Sequence, residues 1–315
     1  MQNVYDLKGK RVWVAGHAGM LGSALCRQLE NLEPDAILGA PRAELDLRDK
    51  DATLAWARRE RPEVIFLTAG TIGGIAANNA YPADFLTDNL LIAASVIDAA
   101  MKADAEKLVY VGSAAVYPIN AEQPLREDAL MTGPLEPAHE GYAMAKLAGI
   151  KLCQAYRRQF GAKMISALPT NLYGPGDTYD PENSHVIPAL IRKAHEARCA
   201  DEDSMEIWGS GNARRDFLYV DDCANALIFL AQHYCSELPV NVGSGSDVSI
   251  AEVAQTVMEL AGLSGPLRRD ESKPDGAARR LLDTSILNEL GWEPKVGLRQ
   301  GLAVTYSDFI RRYGT

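Results

Sequence analysis

Apolar positions in the first half of the chain fall into short unbroken runs, separated by stretches with a helical period. The runs are Arg11–Ala15, Ala36–Leu38, Val64–Leu67, Lys107–Val111 and Met164–Leu168. Between them lie Met20–Leu32, Asp49–Glu60, Phe85–Lys102 and Gly141–Phe160, whose apolar residues recur every three or four positions. Continuous apolar strands alternating with helices of ten or more residues predict βαβ units, and hence a parallel sheet covered on both faces. The expected fold is α/β, a doubly wound parallel sheet of Rossmann type with a smaller C-terminal substrate-binding lobe. After Tyr173-Gly-Pro-Gly176 the alternation weakens and loop-forming residues take over. Residues 1–173, rejoined by about 214–245 through Asp221–Gln232 and Val240–Gly243, are assigned to the nucleotide-binding domain. The stretches 174–213 and 246–315, approximately, are assigned to the lobe.

Composition acts mainly by exclusion. The 315 residues are 47% hydrophobic and 23% charged with a net charge of −10, an ordinary globular balance whose sign disfavours nucleic acid or an anionic membrane as partner. No apolar run approaches the roughly 20 residues that a bilayer requires. Met1–Lys10 contains no apolar signal core. Cys26, Cys153, Cys199, Cys223 and Cys235 form no CxxC pair and have no histidine at metal spacing. No metal is expected, and the thiols read as reduced ones in a cytoplasmic protein.

Candidate chemistry begins at Gly16-His-Ala-Gly19-Met-Leu-Gly22, which follows the first strand and opens a helix. Its glycines permit a tight turn, close backbone approach to a pyrophosphate and close helix–strand packing. With 26 glycines, chance alone yields about 0.2 such spacings, so the position between strand and helix carries the inference to a dinucleotide. At the end of the second strand the chain reads Leu38-Gly-Ala-Pro-Arg42, with no acid before Glu44 to take a ribose 2′-hydroxyl. Arg42 suits a 2′-phosphate instead, which favours NADP(H); its bland alternative is a solvated loop arginine.

Tyr142-Ala-Met-Ala-Lys146 places a phenol and an ammonium four apart on one helix face, where the cation favours the phenolate. About 0.4 such pairs arise by chance from 12 tyrosines and the lysines, so context decides here too. Val111-Gly-Ser113 ends a strand upstream, where open α/β sheets present ligand-binding groups. Ser113 can share a substrate oxygen with Tyr142, or serve merely as a helix cap.

Taken in this order, the glycine turn, the strand-end serine and the Tyr-x-x-x-Lys helix resemble the extended short-chain dehydrogenase/reductase superfamily. The strings Gly73–Asp84, Pro169-Thr-Asn-Leu-Tyr-Gly-Pro175, Asn183-Ser-His-Val-Ile-Pro-Ala-Leu190, Trp208-Gly-Ser-Gly211 and Ser272-Lys-Pro-Asp-Gly276 are similar, end to end, to the GDP-L-fucose synthase family. That resemblance implies an NADP(H)-dependent 3,5-epimerase/4-reductase acting on GDP-4-keto-6-deoxy-D-mannose. It implies Ser113, Tyr142 and Lys146 for reduction at C4 and His185 as the epimerisation acid. Cofactor contacts would come from Gly16, His17, Ala18, Gly19, Met20, Leu21, Gly22, Arg42, Val111, Gly112, Ala114, Lys146, Pro169, Thr170, Asn171, Leu172 and His185. Lys193, Trp208, Arg215 and Asp275 would hold the GDP-sugar, although surface charge accounts equally for Lys193 and Arg215, and core packing for Trp208.

Two positions depart from the pattern. Ala18 stands where the family often carries arginine, and Ala115 stands where it carries a catalytic cysteine. The second departure keeps open a C4 reductase of a related GDP-4-keto sugar without epimerase activity. A 4,6-dehydratase is disfavoured because Ala114 and Ala115 supply no acid. A non-catalytic dinucleotide-binding regulator would not need Ser113, Tyr142 and Lys146 together. The helices Phe85–Lys102 and Gly141–Phe160 resemble those that pair in homodimers of the superfamily, so a homodimer is expected.

Overall fold

The computed structural model describes residues 5–181, 184–273 and 276–314. Five parallel strands alternate with helices from the amino end: β1 (Arg11–Ala15), α1 (Met20–Leu29), β2 (Ala36–Leu38), α2 (Lys50–Glu60), β3 (Val64–Leu67), α3 (Ile75–Ala80), α4 (Pro82–Lys102), β4 (Lys107–Val111), α5 (Glu140–Phe160) and β5 (Met164–Pro169). Val240–Val242 pairs in parallel with β5 and completes a six-stranded sheet, ordered Val240–Val242, β5, β4, β3, β1, β2. Every residue of β3, β4 and β5 is buried, as expected of parallel strands covered on both faces.

Alternation along each strand sorts the side chains between two cores. Val12, Val14, Val64 and Phe66 face α1 and the helix Val220–His233; Trp13, Ile65 and Leu67 face α2, α4 and α5. A third core, with Ile187, Ile191, Val257, Met258, Leu302 and Phe309, joins α6 (Val186–Cys199) to the helices Ile250–Ala261 and Leu298–Tyr313. Within residues 246–315, Leu282, Leu287 and Trp292 are buried in the two sheet cores, so this part of the chain crosses between the layers.

Helix ends follow local chemistry. Asp49 lies outside α2 as its cap, its carboxylate accepting from Ala52 N, because a short acceptor satisfies an otherwise unpaired first-turn N–H. The helix expected from Phe85 starts three residues earlier, with Pro82 in the first turn where its missing N–H costs nothing. Met20–Leu32 divides into α1 and a short 3-10 turn, Glu30–Leu32, ended by Glu33 at φ 52°. Among the described residues, no helix is long and apolar enough to cross a membrane.

The chain leaves β1 toward β2 on one side and resumes at β3 on the other. The resulting crevice at the carboxyl ends of β1 and β3 is where an open α/β sheet takes a ligand. The glycine turn, Ser113 and the Pro169–Leu172 segment all follow carboxyl ends of the sheet strands.

Candidate active site

The turn after β1 needs its glycines. Gly16 has φ +104°, and a Cβ there would lie 2.7 Å from both Ala69 N and Thr68 Oγ1. A Cβ on Gly22 would lie 2.0 Å from Gly16 O, so α1 starts directly against the turn. Gly19 caps α1 with no side-chain acceptor, and the first turn contains no acid. The N–H groups at Met20, Leu21 and Gly22 therefore open α1 without a competing carboxylate, which suits an anion. Ala18 and Gly19 are exposed at the mouth, while the His17 ring packs over Gly39 at the end of β2.

Arg42 extends from the loop after β2. Its side chain is 67% exposed, and Nε is 3.9 Å from Asp46 Oδ2, a contact weakened by solvent and by the shorter 2.6 Å pairing of Asp46 with Arg48. The guanidinium is thus available to a phosphate. Arg42→Ala is expected to weaken NADPH about tenfold or more while leaving NADH nearly unchanged, since a charge-assisted bond is worth about 1.5–3 kcal/mol. Calorimetric titration of both cofactors checks this, and equal losses would give Arg42 another role.

Ser113, Tyr142 and Lys146 come together below this mouth. Ser113 lies two residues beyond β4 and caps the short turn Ala114–Val116, its Oγ accepting from Ala115 N at 3.2 Å; its hydroxyl is also near enough to the Tyr142 phenol to favour the phenolate. The cap reading of the serine is seen directly, and the hydroxyl still stands on the Tyr142 side of the site. Lys146 is 3% exposed, donates to Val111 O at 3.0 Å, and has Nζ 5.8 Å from the centre of the Tyr142 ring. Burial lowers the Lys146 ammonium to about 8. Burial raises the Tyr142 phenol above its ordinary value, opposed by the Ser113 hydroxyl. Burial thus holds the phenol protonated, ready to give a proton, with Lys146 beside it.

Pro169 ends β5. Beyond it, Thr170 donates from N to Val242 O and from Oγ1 to Asp216 O, each at 3.0 Å. Asn171 Nδ2 reaches the same Asp216 oxygen at 3.0 Å, and Asn171 and Leu172 then pair with Phe217–Tyr219. These bonds fix the backbone from Pro169 to Leu172 at the end of β5, which pairs with β4. His185 caps α6 and is solvent-exposed; desolvation by its surroundings lowers its basicity, and so does a neighbouring positive charge on His139.

The charge pattern of the lobe shows what residue types alone do not. Strands Arg214–Arg215 and Arg279–Arg280 lie side by side in parallel, with Arg214 opposite Arg279 and Arg215 opposite Arg280. Like charges placed opposite one another repel, so each pair calls for an anion. Asp247 serves the outer pair, at 2.9 Å from Arg214 and in direct contact with Arg279. The inner pair has Glu136, 2.7 Å from Arg280, while Arg215 Nη1 bonds the carbonyls of Arg214 and Ala277. Arg280 Nη1 is buried with no partner among the described residues. Burial and the adjacent Arg280 make the Arg215 guanidinium easier to deprotonate than usual. Two cations against one carboxylate leave a positive recess fit for a diphosphate. The sequence reading missed Arg280; the doubled arginines in both strands were the available signal.

Trp208 is not core. It is 65% exposed, with Lys193 Nζ 5.1 Å and Lys273 Nζ 5.7 Å from its ring centre. Lys193 also bonds Glu206 O at 3.3 Å. Asp275 and Asn183 lie outside the described residues.

Residues 12–243 match the family model described as "NAD dependent epimerase/dehydratase family". A GDP-L-fucose synthase of Sinorhizobium fredii (strain NBRC 101917 / NGR234) is 50% identical, with 98% of each chain covered. The chain belongs to the epimerase/dehydratase family, among its GDP-L-fucose synthases. Solved members of the family share its architecture. A GDP-L-fucose synthetase from Naegleria fowleri bound to NADP superposes with TM-score 0.92 at 25% identity, covering 100% of this chain and 98% of that one. MlghC, a GDP-mannoheptose C4 reductase from Campylobacter jejuni with NADP bound, gives TM-score 0.85 at 34% identity, covering 98% and 99%.

Proposed function

We propose that this enzyme reduces the C4 ketone of GDP-4-keto-6-deoxy-D-mannose with NADPH, in a site that also accommodates 3,5-epimerisation. The observation that carries the reading is the Ser113–Tyr142–Lys146 set at the carboxyl end of the sheet, in a chain 50% identical over nearly its whole length to a GDP-L-fucose synthase. The glycine turn fits NADP(H): Gly16, Gly19 and Gly22 admit the pyrophosphate to the start of α1, and Arg42 answers the 2′-phosphate. When bound, NADPH supplies the hydride for C4. Ser113 and the protonated Tyr142 hold the C4 oxygen, and Tyr142 gives it a proton as the carbonyl becomes an alcohol. The buried Lys146 stabilises the phenolate that remains. Arg215 and Arg280 take the diphosphate, and Trp208, with Lys193, offers a flat face to the guanine.

A second reading, C4 reduction without inversion, is favoured by the methyl group at Ala115, which neither accepts nor donates a proton. Incubation with GDP-4-keto-6-deoxy-mannose and NADPH, with NMR of the product, tests both. NADPH consumption with an L-configured product supports the first reading, a D-configured product the second, and no consumption overturns the reductase reading. We further read α4 and α5, packed side by side with Leu91, Met144 and Phe160 exposed, as a homodimer face. Light scattering giving a 34.2 kDa monomer would contradict that. All five cysteines are unpaired, which suits a cytoplasmic location.

A further inference from the structure

Away from the crevice, one thiol of this chain is held against a base. Cys199 ends α6 and is exposed, and its Sγ is 3.5 Å from Nε2 of His195, one turn back on the same helix face. The other ring nitrogen, Nδ1, is 3.3 Å from the hydroxyl of Tyr306 on the helix Leu298–Tyr313. Tyr306 and Phe309 belong to the third core, and their rings meet the imidazole edge-on with centres 6.1 and 5.1 Å away. The imidazole plane is thus set by buried neighbours. With its hydrogen on Nδ1 and accepted by the Tyr306 oxygen, the ring presents a bare Nε2 to the sulfur. A nucleophile bonded to a base, and that base bonded to a third group, is the arrangement that activates a thiol. The other four cysteines lack it. Cys153 and Cys223 are buried and Cys26 is half-buried; Cys235 is exposed, but its sulfur meets Arg157 nitrogens at 3.9 Å and no imidazole among the described residues.

We propose that Cys199 is a reactive thiol that exchanges with small-molecule disulfides such as glutathione disulfide, with His195 as its base and Tyr306 as the group that orients the base. His195 Nε2 takes the proton from Cys199 Sγ, and the thiolate attacks one sulfur of the disulfide. A new Sγ–S bond forms as the old S–S bond breaks, and the departing thiolate takes the proton back from Nε2. Cys199 is oxidised to a mixed disulfide, half of the reagent is reduced to a free thiol, and His195 ends neutral as it began. The helix does not supply this activation. Its carboxyl end favours a cation and disfavours an anion, so the imidazole must carry the proton while the sulfur reacts. The site also stands apart from the crevice. The 14 residues of α6, about 21 Å of helix, separate Cys199 from the cap residue His185.

The test incubates the full chain with glutathione disulfide and follows each cysteine-containing peptide by mass spectrometry, with thermal melts to establish folding. The wild-type chain is expected to form the mixed disulfide at Cys199, released again by dithiothreitol. His195→Asn is expected to slow that reaction about tenfold or more, because the positioned base is gone. Tyr306→Phe keeps the imidazole without its orienting hydroxyl and should slow the reaction by a smaller factor, while the rate at Cys235 stays as in wild type. A histidine that only packed α6 against its neighbour would behave in the opposite sense. Its loss would loosen the helix end, and Cys199 would react as fast as before or faster. Should His195→Asn fail to melt cooperatively, His195→Gln takes its place, and Tyr306→Phe decides by the same sign if neither folds. Modification at Cys199 that is undiminished in the folded variants overturns the proposal, and so does a wild-type Cys199 that glutathione disulfide leaves free.

Discussion

Tyr142→Phe is expected to lower kcat for C4 reduction by about 10²–10⁴-fold while leaving NADPH affinity nearly unchanged. The substitution keeps the ring and removes only the hydroxyl that faces Ser113. Reduction needs a phenol that starts protonated, and burial holds Tyr142 in that state. What the step then requires is stabilisation of the phenolate, which Lys146 gives while its ammonium persists. Burial has lowered that ammonium to about 8, so the charge is present at neutral pH and lost as pH rises through that value. kcat/KM, which reports the free enzyme, is accordingly expected to fall on the alkaline side of about 8. Steady-state rates of NADPH oxidation check both parts. A loss below about tenfold in Tyr142→Phe would assign the proton to another group.

Gly22→Ala is expected to abolish useful cofactor binding, weakening NADPH by about 10²-fold or more. The added methyl would meet Gly16 O at 2.0 Å, Gly16 C at 2.7 Å and His17 Cα at 2.9 Å, all backbone atoms that cannot rotate away. Relief requires α1 to move off the turn, and its first N–H groups then lose their aim at a pyrophosphate. Charge-assisted bonds of about 1.5–3 kcal/mol each make two of them enough for the predicted loss. The melting temperature should fall as well, because Leu25 and Leu29 on the same helix are fully buried. Gly19→Ala is the contrast: its Cβ would meet nothing nearer than 3.5 Å, so the fold should survive. Titration calorimetry and thermal melts distinguish the two, and wild-type affinity in Gly22→Ala would remove the turn from the cofactor site.

The sheet was legible because its strands are buried on both faces, and unbroken apolar runs such as Val64–Leu67 leave little else to choose. Val240–Val242 is three residues long and owes its place to pairing with β5, which its own pattern only suggests. Of the site, the groups held within one element were readable: the glycine turn by its spacing, Tyr142 and Lys146 by theirs. Relations between elements were not. Arg280 faces Arg215 through the register of strands 65 positions apart, Arg214–Arg215 and Arg279–Arg280, and no local spacing encodes that pairing. The lysine four residues on from Tyr142 is visible in sequence, whereas the burial that raises the phenol is a property of the assembled layers. Trp208 had two readings until its 65% exposure chose between them.

The inner arginine pair has a consequence for turnover. The diphosphate that Arg215 and Arg280 are proposed to grip is chemically untouched while C3, C4 and C5 react. Its contacts are therefore as strong in the product as in the substrate and the transition state, and such uniform binding lowers KM without raising kcat. Arg280 Nη1, buried and without a partner among the described residues, would make such a grip tight and blind to what happened at the sugar. An enzyme anchored this way retains its own product, and free GDP would compete for the same recess. Departure of the finished nucleotide sugar, rather than the hydride step, is then expected to be the slow event when substrate is plentiful.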